Sequence, residues 1–388
     1  MKKILSLLIA GLLLTTSLVA CGDDETTEEG GATKETVAQD YFEDINKTGR
    51  FEYDVNDEGD YELTGYTPYS VTEVDLVLPS EVNGRDIVGI TAGFFKGSTK
   101  IKSITFPEGS KYEYIGDAVF SDCDLLTSIT LPETITSIGK NIFDGCDNLK
   151  TVTLSSKITE IPVHAFANCK SLTAIDLSNV KTINDGAFTN CSALTNVTVS
   201  NDLEYATKDA FRGCTSLAYN KDGGVCYLGN AANKYVLLVT PETPANMGIK
   251  ECVVNANTKV IADRAFLNCS KLEKITLSDS VKVINGTTFE NCGKLTYNES
   301  ENGLYLGTAA NPYMVLIKLK MPNVEDFTLN KDTKIITATA FAEAKALEDI
   351  SYGALAADWD KIIKADAWNH DIDVNVTFSD NTMITIEG

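Results

Sequence analysis

Nine phenylalanines set the ruler for this chain: Phe95, Phe120, Phe143, Phe166, Phe188, Phe211, Phe266, Phe289 and Phe341. Successive members stand 22 to 25 residues apart, except for two gaps of 55 and 52. An isoleucine lies five residues before each one, with Ala206 the single departure. Six residues after each comes Ile101, Leu126, Leu149, Leu172, Leu194, Leu217, Leu272, Leu295 or Leu347. A unit this short cannot bury its own apolar side, so the units must stack and share one continuous core.

The slots also predict local geometry. After the leucine slot the regular units alternate inward and outward residues, with inward pairs such as Ile129/Leu131, Val152/Leu154, Ile175/Leu177 and Ile275/Leu277. Period-two alternation is a strand with one buried face, and stacking would pair these strands in parallel about 4.8 Å apart. The Ala-Phe-x-x-Cys segment is expected to turn the chain on the opposite side. The fold class is therefore a leucine-rich-repeat solenoid, with a parallel β-sheet on one face and short turns or helices on the other.

Outward positions of the strands include Ser128, Thr130, Thr151, Thr153, Asp176, Asn196 and Thr198. This is a hydroxyl-rich strip without an aromatic cage. Two readings stay open: a soluble β-surface, or a flat platform for an extended partner. The two long gaps hold matched inserts, near 219–248 and 297–323, with Tyr227-Leu228-Gly229 and Tyr305-Leu306-Gly307 leading into asparagine-containing turns. Each reads as a β-hairpin. Tyr227, Tyr235, Tyr305 and Tyr313 are candidate partner-binding residues on these hairpins, the other reading being that the hairpins only cover a local sheet edge.

The ends differ, as the ends of a stack must. Lys2 and Lys3 precede an apolar run, Ile4 to Ala20, in the order of an export signal. Leu18-Val19-Ala20-Cys21-Gly22 resembles the lipobox of bacterial lipoproteins, which implies cleavage at 1–20 and lipidation of Cys21. Residues 21–35 are acidic and read as a tether, and acidic residues at this place also resemble a surface-export signal of Bacteroides-type lipoproteins. Val37, Tyr41 and Ile45, spaced by four, predict a short amphipathic helix. With a hairpin turning at Asn56-Asp57-Glu58-Gly59 it forms an expected N-terminal cap at 36–89. The solenoid is expected over 90–352. A C-terminal cap at 353–388 would be built on Trp359, Ile362, Ile363, Trp368 and the strand Val374 to Phe378.

Composition narrows the function. The formal net charge is −22 over 388 residues, which repels phosphate backbones, so no nucleic-acid partner is expected. His164 and His370 are the only histidines, too few for a His-based metal cage and awkward for Ser-His-Asp or Cys-His catalysis. Asp54-x-Asn56-x-Glu58-Gly59 resembles the start of a calcium loop, but position 12 is Gly65 and a hairpin turn is the simpler reading. Asp358, Asp360, Asp366 and Asp371 crowd near His370 without a second feature pointing to acid–base work. Of ten cysteines, seven sit three residues after an anchor phenylalanine, where Ser98 and Ala344 stand in other units. Side chains stacked in register point the same way, which is poor disulfide geometry, so buried free thiols are expected. No cofactor, metal or catalytic residue is assigned, and no enzymatic activity is expected.

The unit Leu-x-x-Ile-x-Leu-Pro with Ile-Gly-x-x-Ala-Phe-x-x-Cys resembles the BspA-like class of bacterial leucine-rich repeats. Phe51-Glu52-Tyr53 and Leu78-Pro79-Ser80-Glu81-Val82-Asn83-Gly84 are similar to its lead-in, and the resemblance covers about residues 50 to 388. It implies a cell-surface or secreted protein, in some members tied to adhesion to host matrix or other bacterial proteins, and supplies no catalytic residues. The expected function is a lipid-anchored surface scaffold that binds protein partners through the strand face and hairpins. The alternative is a glycan-binding or envelope-scaffolding lipoprotein.

Overall fold

The computed structural model describes residues 41–43, 49–69, 72–242, 248–365, 368–370 and 372–387. Cys21, the apolar leader and the acidic tether lie outside the described residues, as do Val37, Ile45, Asp366 and Asp371. The described chain is a β-solenoid with little helix.

Two parallel ladders run along it. The first is the expected strand face: Val74–Val77 pairs with Ile101–Thr105, Ser128–Thr130 with Thr151–Thr153, and Ala174–Leu177 with Asn196–Val199. It continues through Glu251–Val253 with Lys274–Thr276, then Asp326–Leu329, Asp349–Tyr352 and Val374–Phe378. The second ladder was not foreseen. It forms where the isoleucine slots stack, as two-residue strands Tyr114–Ile115, Ser137–Ile138, Glu160–Ile161, Thr182–Ile183 and Tyr205–Ala206. Two residues give too little alternation to register as a strand in sequence, but each pair satisfies backbone groups that burial would otherwise leave open.

At the third corner the anchor phenylalanines form a ring stack. From Phe95 through Phe120, Phe143, Phe166 and Phe188 to Phe211 the centroids stand 5.2 to 5.7 Å apart with nearly parallel planes. Phe266 and Phe289 stack likewise at 5.5 Å. Each ring is buried among its own kind, so truncating one, as in Phe143→Ala, would cost about 3–5 kcal/mol. Beside this stack the cysteine slot has a role beyond small volume. The thiols of Cys123, Cys146, Cys169, Cys191, Cys214 and Cys292 donate to the phenylalanine carbonyl of the preceding coil, at 2.9 to 3.2 Å. Nine cysteines are described, all free and buried, and burial pushes the Cys123 and Cys252 thiols up to about 12.

The N-terminal expectation needs one correction. Tyr41–Glu43 is a strand, paired antiparallel with Gly49–Val55, and not part of a helix. The spacing of Val37, Tyr41 and Ile45 is equally consistent with an irregular entry, and an available sheet edge decides the outcome. Gly49–Val55 pairs in turn with Tyr61–Pro68, which joins the second ladder through Arg85–Ile90. At the other end Trp359, Ile362 and Trp368 are buried, whereas Ile363 is exposed. The expected aromatic cluster forms there, with Trp359 and Trp368 5.8 Å apart.

Candidate interaction surface

The strand ladder brings the hydroxyl-rich positions onto one face. Register pairs Ser128 with Thr151 and Thr130 with Thr153 across one ladder step, and Asp176 with Thr198 across another. Ser128, Thr130, Thr151, Thr153, Asp176 and Asn196 are exposed, and Thr198 is half-buried. Their neighbours Ile129, Ile175 and Val197 are buried, so the buried column holds the exposed one flat and in register. Glu251 and Val253 extend the face, and Val253, opposite Thr276, is 66% exposed. Asp176 is partly committed, because its carboxylate accepts from the Ser178 amide at 3.0 Å. Near the start of this face the Ser103 hydroxyl donates to the Asp75 carboxylate at 2.6 Å across one ladder step.

The hairpins form as expected, but their tyrosines divide. Val225–Leu228 pairs antiparallel with Leu237–Pro241, and Gly303–Leu306 with Val315–Leu319. Tyr227 and Tyr305 are fully buried, which corrects the expectation that they present themselves to a partner. The physical reason lies in their hydroxyls. The Tyr227 hydroxyl accepts from the Asn255 backbone amide at 3.2 Å, and the Tyr305 hydroxyl from the Asn330 amide at 3.3 Å. Each ring thus fills the core and satisfies a buried donor at the start of the next turn. Burial pushes the Tyr305 phenol up to about 12 and raises that of Tyr227 as well. Tyr235 and Tyr313 are half-buried and stand edge-on to these rings, at 5.3 and 5.7 Å. Of the four tyrosines, only these two keep contact with solvent.

Each hairpin adds a layer to the strand face. The Gly229 carbonyl accepts from the Val199 amide at 2.9 Å and that of Gly307 from the Leu277 amide at 2.8 Å. In regular coils the corresponding bond runs from Leu131 to Thr153. Glycine is required there, because a Cβ at either position would collide with the carbonyl of Asn233 or Asn311 across the turn. The hairpins are therefore part of the ladder, more than covers over its edge.

A charged cluster went unforeseen. Arg264 reaches from the coil after the first insert to Asp209, at 3.3 Å, and Asp185, at 2.5 Å, in the coils before it. Burial pulls the Asp185 carboxyl up, but hydrogen bonds from Arg264 and Thr207 and the guanidinium charge outweigh it and hold it below the usual range. A lone arginine in a slot held elsewhere by Asn141 or Thr287 was the only signal in the sequence.

The other candidates resolve into structure. Asn56 closes its hairpin turn, its side-chain oxygen accepting from the amides of Glu58 at 3.0 Å and Asp60 at 2.9 Å. Asp358 is paired with Lys361 at 2.8 Å. Among the described residues no group of three or more His, Cys, Asp or Glu side chains is placed to hold a metal ion, and no helix is long and apolar enough to cross a membrane.

Residues 88–218 and 244–310, just over half of the chain, match the model of the BspA type leucine-rich repeat region in six copies. The chain belongs to the BspA-type leucine-rich-repeat family. Members of the BspA-type family are repeat scaffolds found on bacterial cell surfaces, and nothing in the match points to a catalytic family. Solved structures with similar repeats include the pneumococcal vaccine antigen PcpA, at 17% identity over 88% of this chain and 94% of that one, with a TM-score of 0.38. A T. pallidum leucine-rich-repeat protein is 21% identical over 66% of this chain and 91% of its own, with a TM-score of 0.34. A leucine rich cell surface protein of Faecalibacterium prausnitzii is 19% identical over 84% and 98%, with a TM-score of 0.32. No curated protein matches the chain.

Proposed function

We propose that this BspA-type chain is a non-enzymatic binding scaffold, lipid-anchored through Cys21 and displayed on the bacterial surface. It engages protein partners through the strand face around Ser128, Thr130, Thr151, Thr153, Asp176, Asn196 and Thr198. One observation carries this reading: from Ser128 to Thr198 the outward side chains form a flat, largely exposed array in register, held by a buried column. Such a platform suits an extended or flat protein surface, where many modest contacts add up. The lipobox-like sequence supports the anchor. Tyr235 and Tyr313 supply additional aromatic contact at the hairpins, whereas Tyr227 and Tyr305 serve the core.

The test is a pull-down from host-matrix and bacterial surface proteins, run beside a polysaccharide panel. It compares the wild type with the double variant Thr130→Lys/Thr153→Glu. The two positions face each other across one ladder step, so the introduced charges attract and the strand survives. Protein partners should be captured by the wild type and weakened about tenfold or more in the variant, at an unchanged melting temperature. Capture that the variant leaves untouched would remove the strand face from the account. Retention by polysaccharides alone would favour the glycan-binding alternative.

A further inference from the structure

The hairpins thicken the strand ladder without thickening the phenylalanine corner, and the difference opens a groove. In each intact step the amide two residues after the anchor phenylalanine donates to the next coil: Asp122 to Asp144, Gly145 to Ala167, Asn168 to Thr189, Asn190 to Arg212 and Asn268 to Glu290, at 2.7 to 2.9 Å. Gly213 and Asn291 are next in this series, and their amides have no partner among the described residues. The facing carbonyls of Leu267 and Ala342 accept nothing there either. The ring stack is interrupted at the same two steps, between Phe211 and Phe266 and between Phe289 and Phe341. The thiol ladder agrees: Ala344, following the second break, has no thiol to donate.

At the first break Arg264 ties the two coils together through Asp209, at 3.3 Å. The second break has Thr287 and Thr339 in those slots and, among the described residues, no ion pair at this corner; Lys334 and Asp279 bridge the same two coils away from it, at 3.3 Å. A cavity of about 860 Å³ lies there, between the Phe289 and Phe341 coils, floored by the returning hairpin strand. Half-buried Tyr297, Leu304 and Pro322 give it apolar surface over the buried Phe289, Ile317 and Leu319, and Asn291 and Ala342 line opposite walls. On the rim Glu290, Glu343 and Lys318 are exposed and have no ion-pair partner among the described residues, whereas Lys320 is held by Glu299 at 2.7 Å. The unpaired rim charge is net negative, on a chain of net charge −22.

We propose that this groove binds an extended, positively charged segment of a partner polypeptide. An open amide on one wall and an open carbonyl on the other match the alternating donors and acceptors of an extended main chain. The apolar floor takes alternate side chains, and the two rim carboxylates favour lysine or arginine at the others. The proposal rests on the protein-binding reading but not on the strand face.

The probe is a fluorescein-labelled decapeptide alternating lysine with valine, titrated into the full-length protein at about 0.15 M salt to suppress diffuse attraction. Anisotropy is compared with a glutamate–valine decapeptide and with a lysine–valine decapeptide N-methylated at alternate amides. The wild type should bind the lysine peptide, and both control peptides about tenfold more weakly or worse. Ala342→Trp, at an exposed position, fills the groove, and Glu290→Lys/Glu343→Lys reverses its rim. Each should weaken binding about tenfold, while Thr130→Lys/Thr153→Glu leaves it unchanged. Absence of binding to the wild type, equal binding of the N-methylated peptide, or full binding by Ala342→Trp would each overturn the groove. Loss in Thr130→Lys/Thr153→Glu with retention in Ala342→Trp would move the site to the strand face.

Discussion

At the scale of single residues, the same residue type serves different ends according to its slot. Tyr227 and Tyr313 both lie in the hairpins, yet one is fully buried with its hydroxyl on a backbone amide and the other is half open to water. Sequence shows where tyrosines recur, but the side a hairpin residue faces depends on a register shift, here between Cys226 and Tyr227 and between Leu304 and Tyr305. One extra residue in a strand turns the following side chains over, and composition does not announce it. Tyr305→Phe should therefore lower stability by about 1 kcal/mol, the value of one buried hydrogen bond, and Tyr305→Ser by about 3 kcal/mol or more, since a cavity is added. Tyr313→Ser should cost far less than Tyr305→Ser. Urea midpoints of the three variants check this ordering, and equal losses would contradict it.

At the scale of the repeat element, most of the design was legible. Phenylalanine, isoleucine and leucine slots at fixed offsets predicted the coil, the strand face and the free thiols, because stacking demands the same residue type at the same place in each turn. The second ladder was not legible, since two-residue strands leave no periodicity to read. The cysteine slot was half understood: its small volume was evident, but its bond to the phenylalanine carbonyl depends on how neighbouring coils are offset. Arg264 belongs to this scale too, since it joins coils separated by a whole insert. Arg264→Met should destabilise the protein by about 1 kcal/mol at neutral pH, its partners being partly exposed. The acid limb carries the sign. Asp185 is held below its ordinary range in the folded state, so its contribution is complete above the unfolded carboxyl value near 4 and disappears as pH falls through the folded value. The gap between wild type and Arg264→Met in urea denaturation should stay constant from about pH 7 to 5 and close below about pH 4. A gap that widens in acid would refute the carboxylate–guanidinium account.

At the scale of the whole molecule, the buried side chains form two clusters that meet at the second hairpin. Leu306 and Val315 belong to the first, and Tyr305 and Leu316 to the second. The inserts are thus points where the stack changes its layering, and the open ladder edges lie there. The architecture is an acidic solenoid with a hydroxylated strand face, and the chain belongs to the BspA-type leucine-rich-repeat family. The account's central claim is that this face is displayed outside the cell. Protease shaving of intact cells, followed by antibody detection of the solenoid, tests it most directly. The account predicts loss of the solenoid signal while a cytoplasmic marker stays intact. Protection of the solenoid until the envelope is lysed would contradict it.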